Sequence, residues 1–77
     1  MDLSIQKTFN ISHLRVGDII FLKNRYCEVV TIDTFRSGKH GIQKWVVFYC
    51  FVDIADNEHA VTMVHIFKTS DTFIRCG

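Results

Sequence analysis

The segment "QKWVVFYCFVDI" constrains the fold of this chain most, because it is apolar at every position from Trp45 to Val52. In an extended strand, successive side chains point to opposite faces. One face would carry Trp45, Val47, Tyr49 and Phe51, and the other Val46, Phe48, Cys50 and Val52. A strand that is apolar on both faces is central in its sheet, or curls so that both faces are covered. The segment therefore predicts a largely buried β-strand.

Shorter alternating segments on either side predict further strands separated by turns. Helical periodicity is weak and confined to the stretch Ile11 to Val16. The predicted strands are Ile19 to Lys23, Tyr26 to Phe35, Gln43 to Ile54, Glu58 to Lys68 and Thr72 to Cys76, and the predicted turns lie at Val16 to Asp18, Lys23 to Arg25 and Asp56 to Asn57. We predict an all-β protein: a small SH3-like (KOW-type) barrel of about five strands with a protruding basic hairpin loop.

Length and composition exclude several classes of protein. The 77 residues form one domain at most, which leaves no room for a conventional enzyme cleft, so we expect a non-enzyme. The net charge of +1 makes any attraction to phosphate local. The three cysteines are far apart and form no C-x-x-C pair, so we expect reduced thiols, no metal and no cofactor. Without a secretory signal or a membrane span, the chain is expected to be cytoplasmic.

The loop within "TFRSGKHGIQKW" concentrates positive charge at the tip of a predicted hairpin. Its basic residues are Arg36, Lys39, His40 and Lys44, with no acid among them. Gly38 and Gly41 allow backbone angles that residues with a Cβ resist, which leaves Lys39 and His40 at the apex. The spacing does not match a P-loop. From the residues alone, the loop is either a solvated turn or a phosphate-contacting tip.

The loop resembles the hypusine loop of the eukaryotic and archaeal translation factor 5A family, which is related to bacterial elongation factor P. That loop reads roughly T-S-K-T-G-K-H-G-H-A-K, and the residues that match in place are Thr34, Gly38, Lys39, His40, Gly41 and Lys44. Upstream, Leu22 to Cys27 follows the family turn L-K-G-R-P-C, with Asn24 in place of the glycine. The resemblance extends from about Leu14 to Phe73.

The resemblance implies a fold and a function. The first domain of the family is an SH3-like barrel with a protruding loop. The lysine matching Lys39 receives an aminobutyl group from spermidine through deoxyhypusine synthase, and deoxyhypusine hydroxylase can then act on it. The factor binds the ribosome beside the P-site tRNA and promotes peptide-bond formation during elongation. By this resemblance, Lys39 is the modified lysine, Gly38 and Gly41 shape the loop, and Arg36, Lys39, His40 and Lys44 contact RNA.

The chain departs from the family pattern at several positions. Ile42 and Gln43 stand where the family has His-Ala, and Phe35 replaces a serine. Residues 1–77 are expected to form a single SH3-like domain without the second, OB-like domain of the family. Two alternative functions remain open. One is a stand-alone RNA-binding module without modification, and the other is an interaction or competitor module that engages the hypusination enzymes or the ribosome.

Other candidate residues have simpler explanations. His13, His59 and His65 are too scattered for a zinc site. Three aromatic residues could form a platform for bases, but their central strand favours core packing; they are Trp45, Tyr49 and Phe51. Lys23 and Arg25 would extend a phosphate-contacting surface only if the barrel brought their turn near Lys39.

Overall fold

The computed structural model describes residues 2–36, 38, 41–52 and 61–77, and six strands lie within these ranges. They are β1 (Gln6–Asn10), β2 (Ile19–Leu22), β3 (Arg25–Arg36), β4 (Gln43–Phe51), β5 (Met63–Lys68) and β6 (Thr72–Cys76). A short 3-10 helix, Ile11–His13, joins β1 to the segment before β2. None of the described segments is a helix long and apolar enough to cross a membrane.

All six strands form one antiparallel sheet in the order β1-β6-β2-β3-β4-β5. The sheet curls around a single core to which every strand contributes a buried or partly buried apolar residue. The buried members are Ile11, Leu14, Ile20, Cys27, Val29, Val47, Tyr49, Phe67 and Phe73. The predicted fold class, a small all-β barrel, is confirmed.

The structure adds one strand, β1, to the five that the sequence predicted. Its sequence "QKTFN" carries one aromatic residue among polar ones, and only Phe9 is partly buried. The strand exists because it pairs with β6 from Gln6↔Cys76 to Asn10↔Thr72. Because four of its five side chains are exposed, the strand lacks the alternation of apolar and polar residues by which a half-buried strand is recognised.

The β2–β3 hairpin is closed by a two-residue turn at Lys23 and Asn24, with φ of 54° and 62°. Two successive positive φ values define the type I′ turn, whose twist matches that of the flanking strands. Asparagine tolerates this conformation, as the sequence indicated. The turn sets the register Leu22↔Arg25 and thereby the whole β2–β3 ladder.

The long apolar segment folds as β4 (Gln43–Phe51), and the two faces of this strand lie in different environments. On the inner face Val47 and Tyr49 are fully buried, and Trp45 and Phe51 pack against the core. On the outer face the side chains are half-buried, and Val52, just past the strand, is 44% exposed. The prediction of a strand is confirmed, and that of burial holds for the inner face.

Candidate nucleic-acid interface

The β3–β4 hairpin carries the candidate site at its tip. The ladder runs from Cys27↔Phe51 to Arg36↔Gln43, with a β-bulge between Val29 and Thr31. Since bulges bend a strand and increase its twist, this one redirects the outer half of β3. The last pair leaves residues 37–42 as the connection, so the basic loop lies between two long strands.

Gly38 has a left-handed backbone conformation, which glycine adopts more readily than any residue with a Cβ. Its φ is +72°, and a Cβ added there would meet no atom within 4 Å. Space is therefore available, and any substitution is opposed by backbone conformation alone. The Gly41 amide donates to the Gly38 carbonyl at 3.4 Å. Lys39 and His40 lie outside the described residues, so their projection from the apex remains a prediction.

Arg36 and Lys44, predicted to act together, point to opposite faces of the hairpin. Lys44 is paired with Phe35, so these two side chains share a face, whereas Arg36 is paired with Gln43 on the other face. Arg36 is exposed and Lys44 is half-exposed. A strand of RNA that contacts both residues must therefore wrap around the tip rather than lie along one face.

The structure adds Lys68, which was not among the predicted site residues. The β4–β5 ladder pairs Lys44 with Lys68, and the hydroxyl of Thr69 donates to the Gln43 carbonyl at 3.0 Å. The end of β5 is thus fixed beside the base of the loop. Lys68 is 24 residues from Lys44 in sequence, and its position follows from strand register, which no local motif encodes.

Arg25 does not extend the tip surface in the way that was considered. The guanidinium carbon of Arg25 lies 3.6 Å from the ring centroid of Phe51. Phe51 is eight residues along β4 from Gln43, which corresponds to about 26 Å of strand. Arg25 therefore lies at the end of β4 away from the loop, where it covers the core.

The aromatic residues of β4 do not form a platform for bases. Tyr49 is fully buried, and its ring packs against that of Phe51 at a centroid distance of 5.8 Å. Trp45 also packs against the core. The interpretation of these rings as core residues is confirmed. Among the described residues, no three His, Cys, Asp or Glu side chains converge as metal ligands would.

The geometry defines a class of protein: a small curled β-sheet domain that presents a long hairpin with basic residues at its tip. No family model and no curated protein sequence matches the chain. Solved structures do match it. The chain is similar to "Eukaryotic translation initiation factor 5A from Methanococcus jannaschii", with a TM-score of 0.72 and 24% identity over 99% of this chain and 53% of that one.

A second similar structure is a translation initiation factor eIF-5a family protein from Naegleria fowleri ATCC 30863. Its TM-score is 0.73, with 17% identity over 94% of this chain and 47% of that one. The chain thus has a translation factor 5A-like fold, which confirms at the level of the fold the resemblance seen in the sequence. It spans about half the length of both structures.

Proposed function

We propose that this chain is a translation factor 5A-like domain that binds the ribosome and the P-site tRNA. In this proposal it promotes peptide-bond formation through a hypusine-type modification of Lys39. The supporting observation is the coincidence of a 5A-like fold with a "GKHG" loop at the end of its longest hairpin. Neither the fold nor the short motif would be sufficient alone, since a fold by itself does not define a function.

The mechanism is one of positioning rather than of chemistry by a protein side chain. Transfer of an aminobutyl group from spermidine breaks its carbon–nitrogen bond to the secondary amine and forms a carbon–nitrogen bond at Nζ of Lys39. The remainder of spermidine leaves as diaminopropane, which takes up the proton that the lysine amine loses. The longer side chain has more reach and a second cationic amine. These amines can contact phosphate and ribose oxygens where a whole domain cannot enter, and so hold the tRNA end in a reactive position.

The proposed partners are the ribosome and the enzymes that modify Lys39, and the proposed location is the cytoplasm. Deoxyhypusine synthase would modify Lys39, and deoxyhypusine hydroxylase could act next, so both are proposed partners besides the ribosome. All of these act in the cytoplasm, where we place the protein. Ile42, 61% exposed next to Gly41, would lie in the surface that the modifying enzymes grip. Among the loop residues that depart from the family pattern, Ile42 is therefore the one expected to affect recognition by the modifying enzymes most.

The first test is the mass of the protein purified from its native host. We expect the peptide that contains Lys39 to be heavier by one aminobutyl group, with or without a further oxygen. The second test is complementation of a strain depleted of its own factor 5A. Wild type is expected to rescue growth and Lys39→Arg is not, because arginine keeps the charge but does not provide the ε-amine that accepts the group.

Equal rescue by wild type and Lys39→Arg would contradict a role for modified Lys39. Absence of the mass increase together with absence of rescue would favour the stand-alone RNA-binding module. One observation independently favours that second candidate: the pair Lys44 and Lys68 presents a cationic surface that needs no modification.

A further inference from the structure

Three side chains form a row across the outer face of the sheet at the base of the loop. Phe35 on β3 pairs with Lys44 on β4, and Lys44 pairs with Lys68 on β5. Directly paired residues point to the same face of a sheet, with Cβ atoms about 5 Å apart. The row therefore places an aromatic ring and two ammonium groups side by side, within about 10 Å.

Neither lysine of the row forms an ion pair within the described part of the chain, although the Asp71 carboxylate lies beside Lys68 and accepts its backbone amide at 2.8 Å. No carboxylate oxygen there lies within 4 Å of either ammonium group, since the ion pair found there joins Arg75 to Asp18. Asp33, on the same face, is paired with Val46 in the next row and is diagonal to Lys44. Like charges directly opposite each other on neighbouring strands are destabilising. A bound polyanion would relieve that repulsion.

The aromatic member of the row is accessible. Phe35 is 43% exposed, although a phenylalanine gains stability from burial. On β4 and β5, the next rows of this face carry apolar side chains that are incompletely covered: Val46 beside Ile66, and Phe48 beside Val64. An exposed ring beside cations is the combination that binds single-stranded nucleic acid, because bases stack on the ring while the cations contact the phosphates. A duplex, whose bases are already stacked, would not use the ring.

We propose that Phe35, Lys44 and Lys68 form a binding site for single-stranded RNA, separate from the loop apex. The two lysines contact the sugar-phosphate backbone, and Phe35 stacks on a base. This inference deepens the proposed function and rests on it, since it extends the RNA surface from the loop onto the edge strand β5. It does not require the modification of Lys39.

The test uses the whole chain, a fluorescently labelled twelve-residue oligouridylate and anisotropy titrations between about 50 and 200 mM salt. Lys68→Ala should weaken binding and flatten the plot of log K against log salt by about 0.7, the value for one lost phosphate contact on a single strand. Lys68→Arg should retain the slope. The matched control is Lys7→Ala on β1, the opposite edge of the sheet, which removes the same charge elsewhere.

Phe35→Leu tests stacking separately from charge. It should weaken oligouridylate binding about fivefold or more, which corresponds to the lower end of one base–aromatic stack, and leave the salt slope unchanged. Inorganic polyphosphate has charge but no bases, so its binding should respond to Lys68→Ala and not to Phe35→Leu. Thermal unfolding midpoints close to that of wild type establish that each variant is folded.

Three outcomes would overturn the inference: no oligouridylate binding at low salt, equal effects of Lys68→Ala and Lys7→Ala, or equal weakening of polyphosphate and RNA by Phe35→Leu. The last would indicate a general anion surface. None of these outcomes changes the mass of the Lys39 peptide or the rescue of growth. Failure of the row and failure of the proposed function are therefore observed in different experiments.

Discussion

The guanidinium group of Arg75 binds the carboxylate of Asp18, a residue 57 positions earlier, through Nη2 at 2.9 Å and Nε at 3.2 Å from Oδ2. The same oxygen accepts the Arg15 amide at 2.9 Å, and Arg75 Nη2 also donates to the His13 carbonyl at 2.6 Å. The guanidinium lies over the ring of Phe9 at 4.6 Å. Arg75 therefore ties β6 to the segment before β2 and covers one end of the core.

Arg75→Gln is expected to lower the free energy of unfolding by about 1–2 kcal/mol, because it leaves a partly buried carboxylate and a carbonyl without their donor. Urea denaturation measures this change. A double-mutant cycle with Asp18→Asn should give a coupling above about 0.5 kcal/mol, whereas the same cycle with Arg36→Gln, at an exposed position, should give none. Additive effects of Arg75→Gln and Asp18→Asn would show that the pair is not stabilising.

The hydroxyl of Tyr49 is buried without a hydrogen-bond partner among the described residues. Because an unsatisfied buried polar group costs about 1–3 kcal/mol, Tyr49→Phe should raise the free energy of unfolding by about 1 kcal/mol. Tyr26→Phe, at a half-buried ring, serves as the control and should change stability little. Destabilisation by Tyr49→Phe would mean that the hydroxyl has a partner after all.

Asn24 occupies a left-handed position in the β2–β3 turn, with φ of 62°. Asn24→Gly should leave stability within about 0.5 kcal/mol of wild type, while Asn24→Ala should lose about 1 kcal/mol, because alanine pays the steric cost of that conformation. Chemical denaturation of the two variants distinguishes them. Equal stability of the alanine and glycine variants would argue against a type I′ turn.

Burial lowers the pKa of His65, and the positive charge of Lys23 lowers it further, against an opposing effect of Asp71. The imidazole is thus protonated more readily in the unfolded chain, whose histidine pKa is about 6.5. Its contribution to stability is complete above that pH and is lost as pH falls toward the lower pKa of the folded state.

Stability should therefore fall as the pH drops below about 6.5, the pKa of a histidine in the unfolded chain, and His65→Gln should make that fall shallower. The measurement is the unfolding midpoint as a function of pH. His13→Gln, at an exposed position, is the matched control for the loss of an imidazole. A profile that is the same for wild type and His65→Gln would exclude His65 as the cause.

Arg36 and Lys44 should both contribute to binding of a single-stranded tRNA end, one from each face of the hairpin. About three phosphate contacts would give a slope of log K against log salt near −2, at about −0.7 per contact. Arg36→Ala and Lys44→Ala should each flatten the slope, and their effects should add because the side chains lie on different faces. Tight binding that neither change affects would place the RNA site elsewhere.

Much of the fold was predictable because its signals are local. The unbroken apolar run of β4 predicted a buried strand, and Lys23-Asn24 marked the hairpin turn, since both signals depend on neighbouring residues only; which face of β4 is the core side was decided by the structure. The polar strand β1 was missed because its pairing with β6 joins residues more than 60 positions apart. For the site, the sequence identified the loop and its cations, while their distribution over two faces depended on strand register.

The sequence by itself determined the all-β class, the two hairpins and the basic composition of the loop, because turn conformation and alternation are properties of short segments. Only the tertiary structure decided that Lys68 lies beside Lys44, that Arg25 stacks on Phe51 at the other end of β4, and that Arg75 reaches Asp18. These contacts depend on strand order and register. Both are set by the packing of one shared core, in which residues distant along the chain become neighbours.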